Sequence, residues 1–550
     1  MHPVLEIPEL ATIICRFCQD ENPADLVAVA ATCRGMYGPA MDLIWRELDD
    51  FSPLIKCLPQ KHWRETRRED RGVDYVTLEL IKLPVKITAK EWRRTFRHAD
   101  RVRKISWTQR HTLESGTVYE ISWRTVSDFG HWLRRRPGDR VVPLLNNLKV
   151  FHVDFYERGG RYQVSEGTPY VAGPALREMY WHCQADAYGF GTDDVVDVTR
   201  AIGMVPVMSP ELSMLGFFDE RGHAKTDPNA GLSGALRKLA HLRSFSSTLS
   251  LHSSDVASLS RMSRLTQLSA GIYTDEPILP PNPSPDTIPF GSLQSLKLSV
   301  KELSKATAFL NLLGDATILR KFTLETSMSN SESAFEACFK AIARHKFLEE
   351  VAININSTPV LTGPFITYGV INTAVLAILY ELPEIRIFVV NALDSARFET
   401  NLDDASMQSL ALKWPHLRKL TIVQGSASTR GLRVPFAKTT LVSLMHLRNH
   451  CPELSSLSIS LDTRSYELEK LQARSAPGGT GHALRRLNIG SRSTPVVNPE
   501  LAASLLRGFF PNLVSVHDGS DVRWGEASDW QEVSAVLRRL RTNAVQAMEQ

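Results

Sequence analysis

The sequence predicts an α/β protein: a compact three-helix head, followed by a solenoid with parallel strands on one face and helices on the other. Three observations lead there. A strand-like phrase, LxxLxL, recurs at fourteen places between Val102 and Leu513, about 32 residues apart on average. Helix-length segments lie between many copies, at 303–313, 334–343, 373–382, 440–447 and 501–509. Residues 5–48 instead carry helical periodicity alone. One strand and one helix per unit cannot bury an apolar face alone, so the units must stack.

The head reads as three short helices. Pro8 suits a first helical turn, where its missing N–H costs nothing, and Leu10, Ile13, Ile14 and Phe17 then form an apolar stripe. Asn22 can cap a second helix with Pro23 at its first position, and Leu26, Val29, Ala30 and Cys33 repeat the spacing. Gly35 and Gly38 break the pattern, and Pro39 opens a third helix carrying Leu43, Ile44, Trp45 and Leu48. So small a domain buries little core and is often stabilised by a partner.

These residues carry a resemblance. Ile7-Pro8-Glu9-Leu10-Ala11-Thr12-Ile13-Ile14 resembles the LPxEILxxI opening of an F-box, Asp25-Leu26 with Ala31-Thr32-Cys33-Arg34 its central DL…VCRxW segment, and Leu43-Ile44-Trp45 its closing LW element. Ile7 replaces the usual Leu, and Tyr37 stands near a common second Trp. The resemblance implies that Ile7, Pro8, Leu10, Ile13, Ile14, Leu26, Cys33, Tyr37 and Trp45 meet a Skp-type adaptor, which bridges to a cullin ubiquitin ligase. Exposure decides between this reading and its rival. If Leu10, Ile13 and Ile14 are buried by the array, the head is a plain cap; if they are exposed together, the patch awaits a partner.

Full copies of the phrase start at Leu148, Leu293, Leu319, Leu348, Leu417, Leu454 and Leu484, and weaker ones at Val102, Leu176, Leu212, Leu242, Leu265, Ile385 and Leu513. Its fourth and sixth residues share a strand face and should point inward. The pattern resembles leucine-rich repeats in a degenerate form. The family's Asn after the phrase is nearly absent: Asn356 holds that place, whereas Lys301 and Arg492 stand there in other copies, so irregular curvature is expected. An F-box followed by degenerate leucine-rich repeats is similar to many fungal F-box proteins. The expected divisions are 1–50 for the F-box-like head, 51–98 for a connecting segment, 99–527 for the leucine-rich-repeat-like solenoid and 528–550 for a C-terminal capping helix.

Little in the sequence points to chemistry. The charge of +4 on 550 residues demands neither nucleic acid nor membrane, and the longest apolar runs fall far short of a spanning helix. No secretory signal is expected at the N-terminus, and seven cysteines, an odd number, fit reduced thiols in cytosol or nucleus. Cys15 and Cys18 have C-x-x-C spacing without a second pair, so they read as packed residues and no metal or cofactor is expected. Pro477-Gly478-Gly479-Thr480-Gly481-His482 lacks the Gly-Lys-Ser/Thr ending of a phosphate loop. His98, His111 and His131 read as surface histidines. Residues 82–140 carry a local charge of +9, with Trp63, Trp92, Trp107, Trp123 and Trp132 in or near them. Core aromatics and solvated charges explain that alternation, so nucleic acid is not the expected partner. The function expected is that of a non-enzymatic substrate-recognition adaptor of a Skp-cullin-F-box ligase. The alternative is a repeat scaffold that binds an acidic protein or RNA, unconnected to ubiquitin.

Overall fold

A computed structural model describes residues 7–22, 24–70, 72–81, 88–108, 110–112, 117–121, 125–126, 128–129, 145–155, 171–183, 192–219, 232–273, 288–314, 317–326, 331–355, 369–392, 398–423, 437–463, 482–490, 493–496, 498–518 and 529–549. Asn356, Arg492, Pro23, His131, Trp123, Trp132, the glycine-rich 477–481 and most of the proline-rich segment 274–289 lie outside them, as does the side chain of His111. The chain divides into two compact units, 1–274 and 275–550.

The first unit begins with α1 (Pro8–Glu21), α2 (Asp25–Thr32) and α3 (Arg34–Ile44). Pro8 opens α1 as its residue type dictates. Asn22 Oδ1 accepts from the Ala24 N–H just before α2. Helix α3 starts at Arg34, five residues earlier than the glycines suggest, and Pro39 lies inside it. The carbonyl a proline ring would crowd belongs to Gly35, and Met36, Ala40 and Leu43 pack into the head core on either side of the lost hydrogen bond. Trp45 and Leu48 fall beyond the helix end.

The parallel sheet starts inside the head's own segment. β1 (Glu47–Leu48) pairs with β4 (Lys104–Thr108), after which β7 (Val150–Phe155), β8 (Glu178–Cys183), β9 (Met214–Asp219), β10 (Ser244–Ser250) and β11 (Gln267–Ile272) follow in order. Between β1 and β4 the chain makes a short helix α4 (Ser52–Lys56), a hairpin of β2 (Trp63–Asp70) and β3 (Val73–Leu80), and helix α5 (Ala89–Ala99). Gly72, with φ of 78°, supplies the left-handed residue that closes the hairpin. A separate four-stranded sheet forms in the order β2-β3-β6-β5, with β5 (Arg110–Thr112) and β6 (Val118–Ile121). The described residues of 51–98 are thus mostly helix and strand rather than plain connection.

Helix α5 is fixed at its start by a capping box: Thr88 Oγ1 accepts from the Glu91 N–H, and Glu91 Oε2 accepts from the Thr88 N–H at 2.7 Å. Glu91 also pairs with Lys61 at 2.6 Å. The Lys61 contact, then the Thr88 backbone bond, hold its carboxyl down to about 2, below the usual 4.5. A depressed carboxyl contributes stability above its unfolded pKa and loses it as pH falls through the folded one. The stability gap between wild type and Glu91→Gln should therefore shrink from pH 5 to pH 2 in urea titrations; a constant gap would contradict this role.

The second unit carries β12 (Ser295–Val300), β13 (Lys321–Thr326), β14 (Glu350–Ile355), β16 (Ile387–Ala392), β18 (Lys419–Val423), β19 (Ser456–Ile459), β20 (Arg486–Ile489) and β21 (Ser515–Asp518) as consecutive rungs of parallel sheet. β15 (Gly369–Asn372) and β17 (Phe398–Asn401) form a small parallel pair of their own. Each of the fourteen phrase starts stands two residues before one of the rung strands β4 to β21. Fourth positions align in register, Phe322, Val351, Phe388, Leu420 and Leu457, and so do sixth positions, Leu324, Ile353, Val390, Ile422 and Ile459. All ten are buried.

A backbone ladder runs along the strand starts. The second-position carbonyl of one rung accepts N–H groups of the second and third positions of the next, as from Arg418 and Lys419 to Arg386 O. At and beyond the strand ends, side-chain hydroxyls bridge neighbouring rungs: Thr326 Oγ1 donates to Lys301 O, and Ser493 Oγ accepts from the Leu461 N–H. The C-terminal helix Asp529–Glu549 buries Trp530, Val533 and Val536, and Asp529 accepts from the Val496 N–H.

Candidate functional site

The head packs on a core of Ala11, Cys15, Leu26, Met36, Ala40 and Leu43. From α1 that core takes only small side chains, and the large apolar ones face away. Ile7, Leu10, Ile13, Ile14 and Phe17 are all exposed, Phe17 by 68 % and Ile13 by 46 %; Pro8 and Tyr37 are exposed too. Three short helices have too little interior for both faces of α1. Five large apolar side chains along one helix face form the kind of patch that marks a partner site.

Three expected contact residues are placed otherwise. Leu26 is only 2 % exposed, inside the head core, where it supports the patch from within. Cys33 packs half-buried against the same core, because it sits at the N-cap where α2 turns into α3. Trp45 is half-buried and stacks on His98 of α5, ring centroids 4.2 Å apart. His98 is buried under that ring, not at the surface; burial first, then Arg101, Arg94 and Arg97, depress its pKa. Cys15 lies in the head core, and burial, with Cys18 nearby, pushes its thiol up. Trp92 and Trp107 are core residues.

A second feature lies on the outward strand face of the first unit. Ser106, His152, Tyr180 and Gly216 align across β4, β7, β8 and β9, and Thr108, Asp154, His182 and Phe218 align beside them. All of these but Gly216 line a depression of about 480 Å3. His152 meets the Tyr180 ring edge-on at 4.8 Å, and Tyr180 stacks on Phe218 at 6.3 Å. Asp154 pairs with His182 Nδ1 at 3.0 Å and accepts from Thr108 Oγ1 at 3.5 Å. His152 Nε2 is buried without a hydrogen-bond partner, and burial lowers that ring's pKa. Burial likewise raises the Tyr180 hydroxyl.

Gly216 makes the arrangement possible. A Cβ there would stand 2.1 Å from Tyr180 Cδ1, so the bare backbone leaves the ring its place. Gly216→Ala should displace Tyr180 and cost about 1–3 kcal/mol as an overpacked site. Thermal unfolding and near-ultraviolet dichroism would report it; a variant unchanged in both would refute the platform. Sequence reasoning missed this group. The available signal was the aromatic character of outward positions in successive copies, Tyr180 and Phe218, where later copies place Ser246 and Lys297.

Among the described residues no helix is long and apolar enough to cross a membrane. No protein-family model and no curated protein matches the chain. Among solved structures, a chain of the "Crystal structure of Rad7 and Elc1 complex in yeast" is similar at 14 % identity and a TM-score of 0.30, over 60 % of this chain and 80 % of that one. At that level nothing about function passes from one to the other.

Proposed function

We propose that the protein is the substrate-recognition adaptor of a Skp-cullin-F-box ubiquitin ligase, acting in cytosol or nucleus. The observation that carries the reading is the outward stripe of Ile7, Leu10, Ile13, Ile14 and Phe17 on a head that has its own core. The F-box-like order of residues gives that stripe its occupant, a Skp-type adaptor bound in turn to a cullin. The solenoid selects the target protein, and the aromatic depression around Tyr180 and His152 is its contact surface. In this role the chain contributes no catalytic group. It raises the local concentration of a target lysine near a ubiquitin-conjugating enzyme.

The test is affinity purification of the full chain with mass spectrometry. A Skp-type adaptor and a cullin should be recovered in near-stoichiometric amounts. Their absence, with the tagged chain folded and abundant, would overturn the assignment.

A further inference from the structure

A cavity of about 510 Å3 lies where the head meets the first rungs. Its lining includes Arg16 of α1, Arg46 before β1, Arg97 of α5, Arg101 and Arg103 before β4, and Lys149 before β7. Against these six cations stand two carboxylates, Asp42 and Asp100. Arg101 is already bonded to Asp42 and to the Gly38 carbonyl, and Arg103 donates to the Asp100 and Val102 carbonyls. Arg97 lies 6.0 Å from the Tyr37 ring. Among the described residues no carboxylate pairs with Arg16, Arg46, Arg103 or Lys149.

The register explains why the charges gather. Arg46, Arg103 and Lys149 hold the same place on successive rungs: the Arg103 N–H donates to Arg46 O at 2.8 Å and the Lys149 N–H to Arg103 O at 2.7 Å. Rungs are about 4.8 Å apart, so like charges are stacked at that spacing. The second unit shows the balanced version of the same column. There Glu349 stands between Arg320 and Arg386 and pairs with both, and Arg418 pairs with Glu453, which lies just before the next phrase rather than in the column. The first unit has no such acid in its column from Arg46 to Lys149. Stacked, unpaired cations repel one another unless something neutralises them.

We propose that this cavity binds a compact small molecule carrying two or more phosphate groups. Its volume lies in the small-molecule range. Guanidinium forks held by backbone carbonyls are pre-set for phosphate oxygens. Helix α1 lines the cavity with Thr12 and Arg16, neither of which belongs to the apolar stripe. A ligand there would clamp the head to the array and leave the partner surface free. The inference is independent of the ubiquitin reading.

Inorganic tripolyphosphate and a nucleoside triphosphate, both without divalent metal, serve as probes of the full chain at about 150 mM salt, roughly the ionic strength of the cell. Calorimetry and thermal unfolding should both show binding. Equal affinities would mean that phosphates alone are read, and a preference for the nucleotide would mean that its base is read as well. Arg16→Ala with Lys149→Ala should weaken binding at least tenfold and abolish the thermal shift. Arg418→Ala, at the already paired position, should change neither. Absence of binding, binding indifferent to the double variant, or binding only of long oligonucleotides would overturn the proposal.

Discussion

Leu10→Asp combined with Ile14→Asp is expected to abolish recovery of a Skp-type adaptor while the chain stays folded. Both side chains stand on the outward face of α1, outside the core of Ala11, Cys15 and Leu26. Their loss opens no cavity, and the lower helix propensity of Asp costs about 0.5 kcal/mol at each site. At an interface the outcome differs, because two unpaired carboxylates would be forced into an apolar contact. An uncompensated buried charge costs several kcal/mol, so affinity should fall at least about a hundredfold. Leu26→Ala is the contrasting variant: it too should lose the partner, but through unfolding of the head, visible in circular dichroism. Because β1 pairs with β4 and Trp45 stacks on His98, the full chain is the proper material. Unchanged adaptor recovery from a folded double variant would sink the adaptor reading.

The rungs were legible because two signals coincide at each one. A Leu, Val or Ile opens the phrase, and alternation then fixes the inward positions; thirteen of the fourteen opening residues, from Val102 to Leu484, are fully buried. β1 escaped notice because two residues cannot show a period, and only its pairing with Lys104 and Ile105 reveals it. The β2–β3 hairpin escaped because β2, Trp63–Asp70, is mostly charged: its register is held by pairs such as Arg64 with Glu79, while Val76 and Leu78 of β3 alone turn inward. On α1 the periodicity gave the stripe but not its direction. Which face turned inward depended on Ala11 and Cys15 being small enough for α3 to approach closely. The aromatic depression and the cationic column are properties of register. They join residues about thirty or more positions apart, and neither is visible until the rungs are stacked.

Leu420→Ala should destabilise the second unit by about 2–5 kcal/mol. Leu420 is fully buried in β18, between Phe388 of β16 and Leu457 of β19 in register. The site cannot readily collapse around the missing methyl groups, since Phe388 is held against Trp414, ring centroids 5.0 Å apart. The cost therefore combines lost transfer energy with a persistent cavity. Stacked repeats couple chiefly to their neighbours, so the damage should spread outward from that rung. Hydrogen exchange should accelerate first in β16, β18 and β19 and last at the C-terminal helix Asp529–Glu549, beyond the last strand β21. Lys419→Ala, one residue away on the exposed side of the strand, should cost no more than about 0.5 kcal/mol. Equal losses from the two substitutions, or exchange that rises uniformly along the unit, would mean that the rungs are not the cooperative elements of this fold.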